Sequence, residues 1–344
     1  MTVNIGFPVS QLVCILWVDS VNAAVDHLII TSTVIMAIIK GLNVLAKKKT
    51  FVELLRLMKE LDATVTTEEY ECVFKRKFLV SDGLLLLFCA NYIGSWSCVA
   101  IQVIMSHPAN RLWSSTYLYP SEFLHQCGIY LGGIIFQAIS NLLLVFVDIV
   151  VDTYGASLLH ILGGHIEILS QHLQALGKGC NNIEEFRQQE PILIELCKKY
   201  LLIIRYSKSL EKILSFALFS QFGVSGLVLC TCAYQLSVVS PMEDTYKFLF
   251  SAVYSFAMIT EIFIPSYFGS AVYIKSQKLC YDTFTSNWLP ASVKYKRSMQ
   301  ILVERTLQPI SIYAASVFLL NLTTLLKILK TAYSIFAMLK NTQT

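Results

Sequence analysis

Residues 213–242 read ILSFALFSQFGVSGLVLCTCAYQLSVVSPM and contain no Asp, Glu, Lys or Arg. A helix of about 20 apolar residues is long enough to cross the hydrocarbon core of a bilayer. The rest of the chain has a similar composition, because 55% of its 344 residues are hydrophobic and only 15% are charged. Soluble domains carry about 25% charged residues. The composition therefore predicts an integral membrane protein and excludes a secreted or cytosolic enzyme.

Seven segments of the chain are apolar enough to be candidate membrane spans. None of them holds more than two Asp, Glu, Lys or Arg residues. They extend approximately over residues 2–18, 25–45, 78–105, 128–147, 213–242, 248–274 and 306–339. We therefore predict an all-α membrane protein with seven transmembrane helices.

The basic residues predict the orientation of these helices. Of the 27 Lys and Arg residues, 22 lie in the three stretches 40–77, 178–212 and 275–305, which follow segments two, four and six. Loops rich in Lys and Arg remain on the cytoplasmic side of a membrane. We therefore expect an inverted topology, in which the N-terminus is cytoplasmic and the C-terminus is outside.

Helical patterns continue past the fourth segment into the cytoplasm. Leu158, Leu162 and Ile166 recur at helical spacing, and a similar pattern resumes in residues 192–202. These cytoplasmic extensions are either a packed intracellular domain or subunit interface, or a solvated helical hairpin. We divide the chain into segments one to four with the first cytoplasmic loop, a cytoplasmic helical region, and segments five to seven, which correspond to residues 1–150, 151–212 and 213–344.

No motif in the sequence indicates catalysis, a cofactor or a metal. The ten cysteines form no C-x-x-C pair, and His160 and His165 are five residues apart, so they do not share a helix face. Phosphate-binding, zinc-protease and serine-hydrolase motifs are absent from the sequence. The net charge of +4 follows from the basic loops and gives no reason to expect a nucleic-acid partner. We therefore predict no enzyme activity, catalytic residue, metal site or cofactor.

One acidic residue lies deep in an apolar segment. Glu261 is four residues before Pro265 in the sixth segment, whereas Asp82 is near the cytoplasmic end of the third, where it can reach water. A charge near the bilayer centre costs about 2.5–3.5 kcal/mol on insertion scales. Glu261 is therefore expected to pair within the bundle, to face a water-filled cavity, or to lie closer to the interface.

The last third of the chain carries a recognisable pattern. It consists of Tyr267-Phe268-Gly269-Ser270, then Ser276, Leu279, Tyr281 and Trp288, then Gln308-Pro309-Ile310, and finally Leu329-Lys330-Thr331-Ala332-Tyr333-Ser334-Ile335-Phe336. This pattern resembles the C-terminal signature of insect odorant receptors of the odour-tuning kind. The seven segments and the long cytoplasmic extensions fit the same family.

The resemblance implies a ligand-gated, non-selective cation channel. Such a subunit acts in a hetero-tetramer with a shared co-receptor, in the plasma membrane of olfactory sensory neuron dendrites. Its partners would be the co-receptor, membrane lipid and a small volatile apolar ligand. A gustatory receptor channel is the nearest alternative. A G-protein-coupled receptor would require the opposite orientation.

The resemblance also places an odorant pocket in the outer half of the helix bundle. Aromatic side chains offer large apolar faces, and Tyr and Trp add a polar group. Ordinary packing within the bundle is the competing explanation for these aromatic positions. The ligand-binding candidates at the outer ends of segments two, three, four and six are His27, Tyr92, Trp96, Tyr130, Phe136, Tyr246 and Tyr254.

The last segment is the expected pore helix. As a single helix, residues 306–340 would be about 50 Å long, so we expect the C-terminal half to cross the membrane. By family resemblance, Ala332, Ile335 and Phe336 line the narrowest point, where an apolar ring gates by dewetting. In the alternative reading, this apolar face packs against the bundle and a polar face with Lys330 and Ser334 meets water.

Overall fold

Long helices dominate the computed structural model, which describes residues 21–66, 68, 73–105, 127–180, 182–242 and 244–341. The helical part of the predicted fold class is therefore confirmed. In these residues the helices are α1 (Val21–Ala46), α2 (Lys48–Asp62), α3 (Lys75–Met105), α4 (Cys127–Ala175), α5 (Ile183–Val238), α6 (Thr245–Thr285), α7 (Val293–Thr306) and α8 (Leu322–Asn341).

Five helices of the described chain, α1, α3, α4, α5 and α6, are long and apolar enough to cross a membrane. Each overlaps one of the predicted segments, and only α5 ends before its segment does, at Val238 instead of residue 242. The first predicted segment, residues 2–18, lies outside the described residues. Large apolar side chains such as Leu79, Leu86, Phe146 and Phe256 are exposed on the outside of the bundle. A continuous apolar exterior of this kind is suited to contact with lipid.

The helices α4 and α5 extend far beyond the thickness of a bilayer. They contain 49 and 56 residues, which correspond to about 73 Å and 84 Å at 1.5 Å per residue, against about 30 Å of hydrocarbon. A short turn joins them, and Gly177 and Gly179 in this turn adopt φ angles of 72° and 82°. Residues 151 and 212, the predicted limits of the cytoplasmic helical region, lie inside these two helices, which continue through both positions.

The last predicted segment, residues 306–339, does not form one continuous helix. The chain leaves α7 at Thr306, forms a two-stranded antiparallel hairpin, and only then enters α8. Its strands, β1 (Tyr313–Ala314) and β2 (Phe318–Leu319), are joined through Ala315 and Ser316, whose φ angles of 49° and 58° are left-handed. Pro309 helps to explain the break, because proline donates no backbone hydrogen bond and disfavours helical geometry in the preceding residue.

The two central helices of the bundle are α4 and α6, which pack along each other. Helix α3 packs against both, α5 packs against α6 and α1, and α8 lies against α5 and α6. Toward the connected ends of α4 and α5 the core is dense, and side chains such as Leu159, Leu162 and Ile166 are fully buried. Farther along the bundle, the same helices separate enough to leave a cavity.

Candidate functional site

A cavity lies between α1, α3, α4, α5 and α6. The volume of the cavity is about 70 Å³. Tyr92 and Trp96 approach it from α3, and Tyr254 approaches it from α6, while Val34 and Leu144 supply aliphatic surface. A largely apolar cavity lined by a few polar groups has the composition of a small-molecule site.

The structure brings together three of the seven ligand-binding candidates, since Tyr92, Trp96 and Tyr254 line the same cavity. Phe136 and Tyr246 are 37% and 50% exposed, and neither belongs to the cavity lining. The side chains of His27 and Tyr130 lie outside the part of the chain that the structure describes.

Two of the cavity tyrosines use their hydroxyl groups inside the protein. The Tyr254 hydroxyl donates a hydrogen bond to Thr33 Oγ1 at 2.7 Å. The Tyr92 hydroxyl donates to a carboxylate oxygen of Asp152. These bonds fix the orientation of both rings, so that their apolar faces remain available to the cavity.

A buried ion cluster closes one end of the cavity. The Lys40 ammonium lies 2.6 Å from a Glu261 oxygen, 2.8 Å from Asp152 and 3.3 Å from Asp148. Only 1% of the Lys40 side chain is exposed, so its charge depends on these acids rather than on water. The cluster therefore joins α1, α4 and α6 at the position where the three helices meet.

Glu261 pairs within the bundle, as the first of the three expected alternatives stated, and it also lines the cavity. Its partners Asp148 and Asp152 were not among the residues predicted from the sequence. Their spacing of four residues places both carboxylates on one face of α4, and this pattern was a detectable sign of a shared partner. That the partner is Lys40, which precedes Asp152 by 112 residues, followed only from the folded structure.

The three acids of the cluster also have a spacing that suits a metal ion. One carboxylate oxygen from each of Asp148, Asp152 and Glu261 lies within 4.8 Å of the others. Lys40 already places a positive charge among these oxygens. The cluster is therefore an internal ion pair in which a lysine supplies the cation.

The pore candidates on α8 differ in their surroundings. Ala332 is buried, Phe336 is half-buried, and Ile335 is 45% exposed. Because α8 packs against α5 and α6, the apolar face partly contacts the protein's own bundle. The polar face is exposed at all four of its positions, Thr323, Lys327, Lys330 and Ser334.

The comparison with protein families matches the 7tm Odorant receptor model to residues 20–333. The chain belongs to this family. It is 27% identical to odorant receptor 2a of Drosophila melanogaster over 98% of the chain and 87% of that receptor. It is 25% identical to odorant receptor 33a of the same species over 82% of the chain and 73% of that receptor.

The fold of this odorant receptor also matches a solved structure. The insect olfactory receptor OR5 of Machilis hrabei, in complex with eugenol, superposes with a TM-score of 0.88 at 15% identity, covering 99% of this chain and 87% of that one. The seven-helix membrane fold class and the recognised family are therefore confirmed. The receptor is a multi-pass membrane protein of olfaction and is not an enzyme.

The signature residues of the odorant receptor have a structural role in the last quarter of the chain. Ser276 Oγ accepts a hydrogen bond from the Ile310 backbone at 2.9 Å, and Ser270 Oγ accepts one from Leu322 N at 3.0 Å. A side chain at Gly269 would collide with the Leu320 carbonyl oxygen. We call Gly269, Ser270 and Ser276 the clasp, because together they hold the hairpin and the start of α8 against α6.

Proposed function

We propose that this odorant receptor is the odour-tuning subunit of a ligand-gated, non-selective cation channel. It assembles with the shared co-receptor as a hetero-tetramer in the plasma membrane of olfactory sensory neuron dendrites. Family membership supports this assignment, and the aromatic cavity in the helix bundle is the observation that carries it. The gustatory alternative loses its support, because the matching family model is that of odorant receptors.

The proposed ligand is a small volatile molecule that is mainly apolar and enters the cavity beside Tyr92, Trp96 and Tyr254. The fold relative OR5 was solved with eugenol, a volatile aromatic molecule of this kind. Burial of an eight-carbon ligand contributes roughly 6 kcal/mol at about 0.8 kcal/mol per CH₂ group. Association costs reduce this gain, so we expect affinity in the micromolar range or weaker.

The decisive experiment measures odour-evoked current with and without the co-receptor. Current that requires both subunits supports the proposal, and equal current from the receptor alone contradicts the hetero-tetramer.

Single substitutions Tyr92→Ala, Trp96→Ala and Tyr254→Ala should reorder the ranking of odorants. Phe136→Ala is the matched control, because Phe136 does not line the cavity. An unchanged ranking in all three cavity variants at normal surface expression would refute this pocket.

For the pore, we propose that α8 carries Ile335 and Phe336 at the narrowest point. Ile335 is the most exposed of the three candidates and can face a conduit between subunits, whereas Ala332 packs inside the chain. Lys330 on the neighbouring face would repel permeating cations at close range. Cysteine substitution at Ile335 and, as its control, at Ser334 separates the two faces. Block by a thiol reagent at Ser334 alone would show that the polar face lines the conduit.

The proposed orientation has a cytoplasmic N-terminus and an external C-terminus. The excess of Lys and Arg in three alternate loops supports it. In intact cells, an antibody should reach a tag after Thr344 and should not reach a tag before Met1 until the cells are permeabilised. Staining of the N-terminal tag on intact cells would contradict the inverted topology.

A further inference from the structure

The three acids of the buried cluster differ in the hydrogen bonds they accept and in their distance from Lys40. Asp152 accepts hydrogen bonds from both Lys40 and Tyr92, and Glu261 lies 2.6 Å from the Lys40 nitrogen. Asp148 has a longer ion-pair distance of 3.3 Å to Lys40. Its Oδ1 atom is the one that faces Lys40, and no other partner of this atom is found among the described residues. Asp148 is therefore the most weakly paired acid of the cluster.

The cluster borders the cavity of the proposed ligand. Asp148 and Glu261 both line the cavity, whereas its described lining contains no Lys, Arg or His. Three acids share one lysine at this end. The charged groups that a ligand meets are thus all acidic, and a hydrogen-bond donor or a positive charge would complete the cluster.

The aromatic residues of the same cavity favour the same class of ligand. Tyr92, Trp96 and Tyr254 approach the space from two helices. Aromatic faces attract cations through the ring quadrupole, and groups of such rings recognise alkylated ammonium ions. An acid at one end and three aromatic rings around the space form a combination suited to an amine with an apolar tail.

We propose that the cavity selects small ligands with a primary amine group and that Asp148 determines this specificity. The inference rests on the proposed function and adds the ligand class to it. The amine nitrogen donates to Asp148, while the apolar tail packs against the aromatic rings. A carboxylic acid of equal length would bring a fourth acidic group to the cluster and is disfavoured by like-charge repulsion.

The experiment uses matched triples of one carbon skeleton, such as hexylamine, hexanol and hexanoic acid, with further triples on butyl and phenylethyl skeletons. Currents are recorded from the full-length receptor expressed with the co-receptor. Within the triples, the amine should activate at a concentration roughly tenfold or more below that of the acid, as one charge-assisted hydrogen bond implies. An acid or alcohol that equals the amine in every active triple overturns the inference.

Three variants test the role of Asp148 itself. Asp148→Asn keeps the shape of the side chain and should remove most of the amine preference, whereas Asp148→Glu should retain it. Leu144→Ala is the control, because Leu144 lines the cavity one helical turn away and carries no charge. It should shift all three ligands of a triple alike. An unaltered amine preference in Asp148→Asn at normal surface expression would show that Asp148 does not set specificity.

The outcomes also separate this inference from the proposed function. Activation by alcohols without amine preference contradicts the inference and leaves the odorant-gated channel intact. Silence toward every triple and toward a broad odorant panel, in receptors that reach the surface with the co-receptor, counts against both. If Asp148→Asn fails to reach the surface, the ranking in the unsubstituted receptor and in Asp148→Glu still decides the question.

Discussion

Helix α6 contributes to two regions that are stabilised in opposite ways. One is the clasp, and the other is the ion cluster of Lys40, Asp148, Asp152 and Glu261 with the adjoining cavity, which we call the cavity end. Glu261 of the cavity end and Gly269 of the clasp are eight positions apart in α6. At the cavity end, charged side chains border open space. At the clasp, the backbone of the hairpin approaches α6 so closely that no side chain fits at Gly269.

One helix, α6, therefore takes part both in the ligand site and in the positioning of α8. A ligand site requires space and polar groups that are not fully used by the protein. The segment that positions α8 requires a close, fixed contact, because a small displacement at its start would move the whole helix. Pro265 lies between the two regions in α6 and lines a second small cavity beside the cluster.

The largest effect is expected from Lys40→Met. This change leaves three buried acids without their cation, and removal of one partner from a buried ion pair costs about 3–5 kcal/mol. We expect severe loss of surface expression and a lower thermal unfolding temperature in detergent. Lys59→Met is the control, because Lys59 is exposed on α2. Normal stability of the Lys40→Met receptor would show that the cluster does not hold the cavity end together.

A smaller effect is expected from Gly269→Ala, which tests the clasp. The added methyl group collides with the Leu320 carbonyl oxygen, and overpacking of this kind costs about 1–3 kcal/mol. Gly223→Ala in α5 is the matched control, because a methyl group there meets no atom within 4 Å. The measurement is again thermal unfolding. Equal unfolding temperatures for the two alanine variants would contradict the close contact.

Ser276→Ala removes one hydrogen bond of the clasp and should cost about 1–2 kcal/mol, because the buried Ile310 backbone N–H loses its acceptor. Ser237→Ala is the control, since its hydroxyl is exposed and bonds only within its own helix. Channel current should fall further than surface expression if the hairpin positions α8. A loss of equal size in both variants would mean that this hydrogen bond has no special role.

The smallest change in stability is expected from Tyr254→Phe at the cavity end. The substitution removes the hydrogen bond to Thr33 and should cost about 1 kcal/mol or less, because the ring remains. Its effect should appear mainly in the relative potency of odorants. A large fall in unfolding temperature with no change in odorant ranking would assign Tyr254 to packing instead of ligand contact.

The two regions also differ in how well their residues and contacts could be predicted from the sequence. The aromatic residues of α3 and α6 were identified from their position in apolar segments, and Tyr92, Trp96 and Tyr254 indeed surround one cavity. Phe136 and Tyr246 satisfied the same rule but face outward. The sequence places a residue along a helix, but the rotation of that helix against its neighbours decides which side the residue faces.

The hairpin before α8 was missed for a related reason. Residues 306–326 are uncharged, so hydropathy alone does not distinguish a continuous helix from two elements joined by a short turn. The serine and glycine residues of the clasp were visible as a family pattern. Their partners Ile310, Leu320 and Leu322 are more than thirty residues away, and local periodicity carries no information about such contacts.

Composition and residue pattern were enough to predict the membrane environment, the helical class and the family of this protein. Apolar segments of bilayer length satisfy their backbone hydrogen bonds in lipid by forming helices, and the C-terminal pattern resembles that of odorant receptors. The pairing of Lys40 with Asp148, Asp152 and Glu261 became evident only in the folded structure. Buried charges must find opposite charges wherever the folded chain supplies them, and in this receptor they come from helices that are distant in sequence.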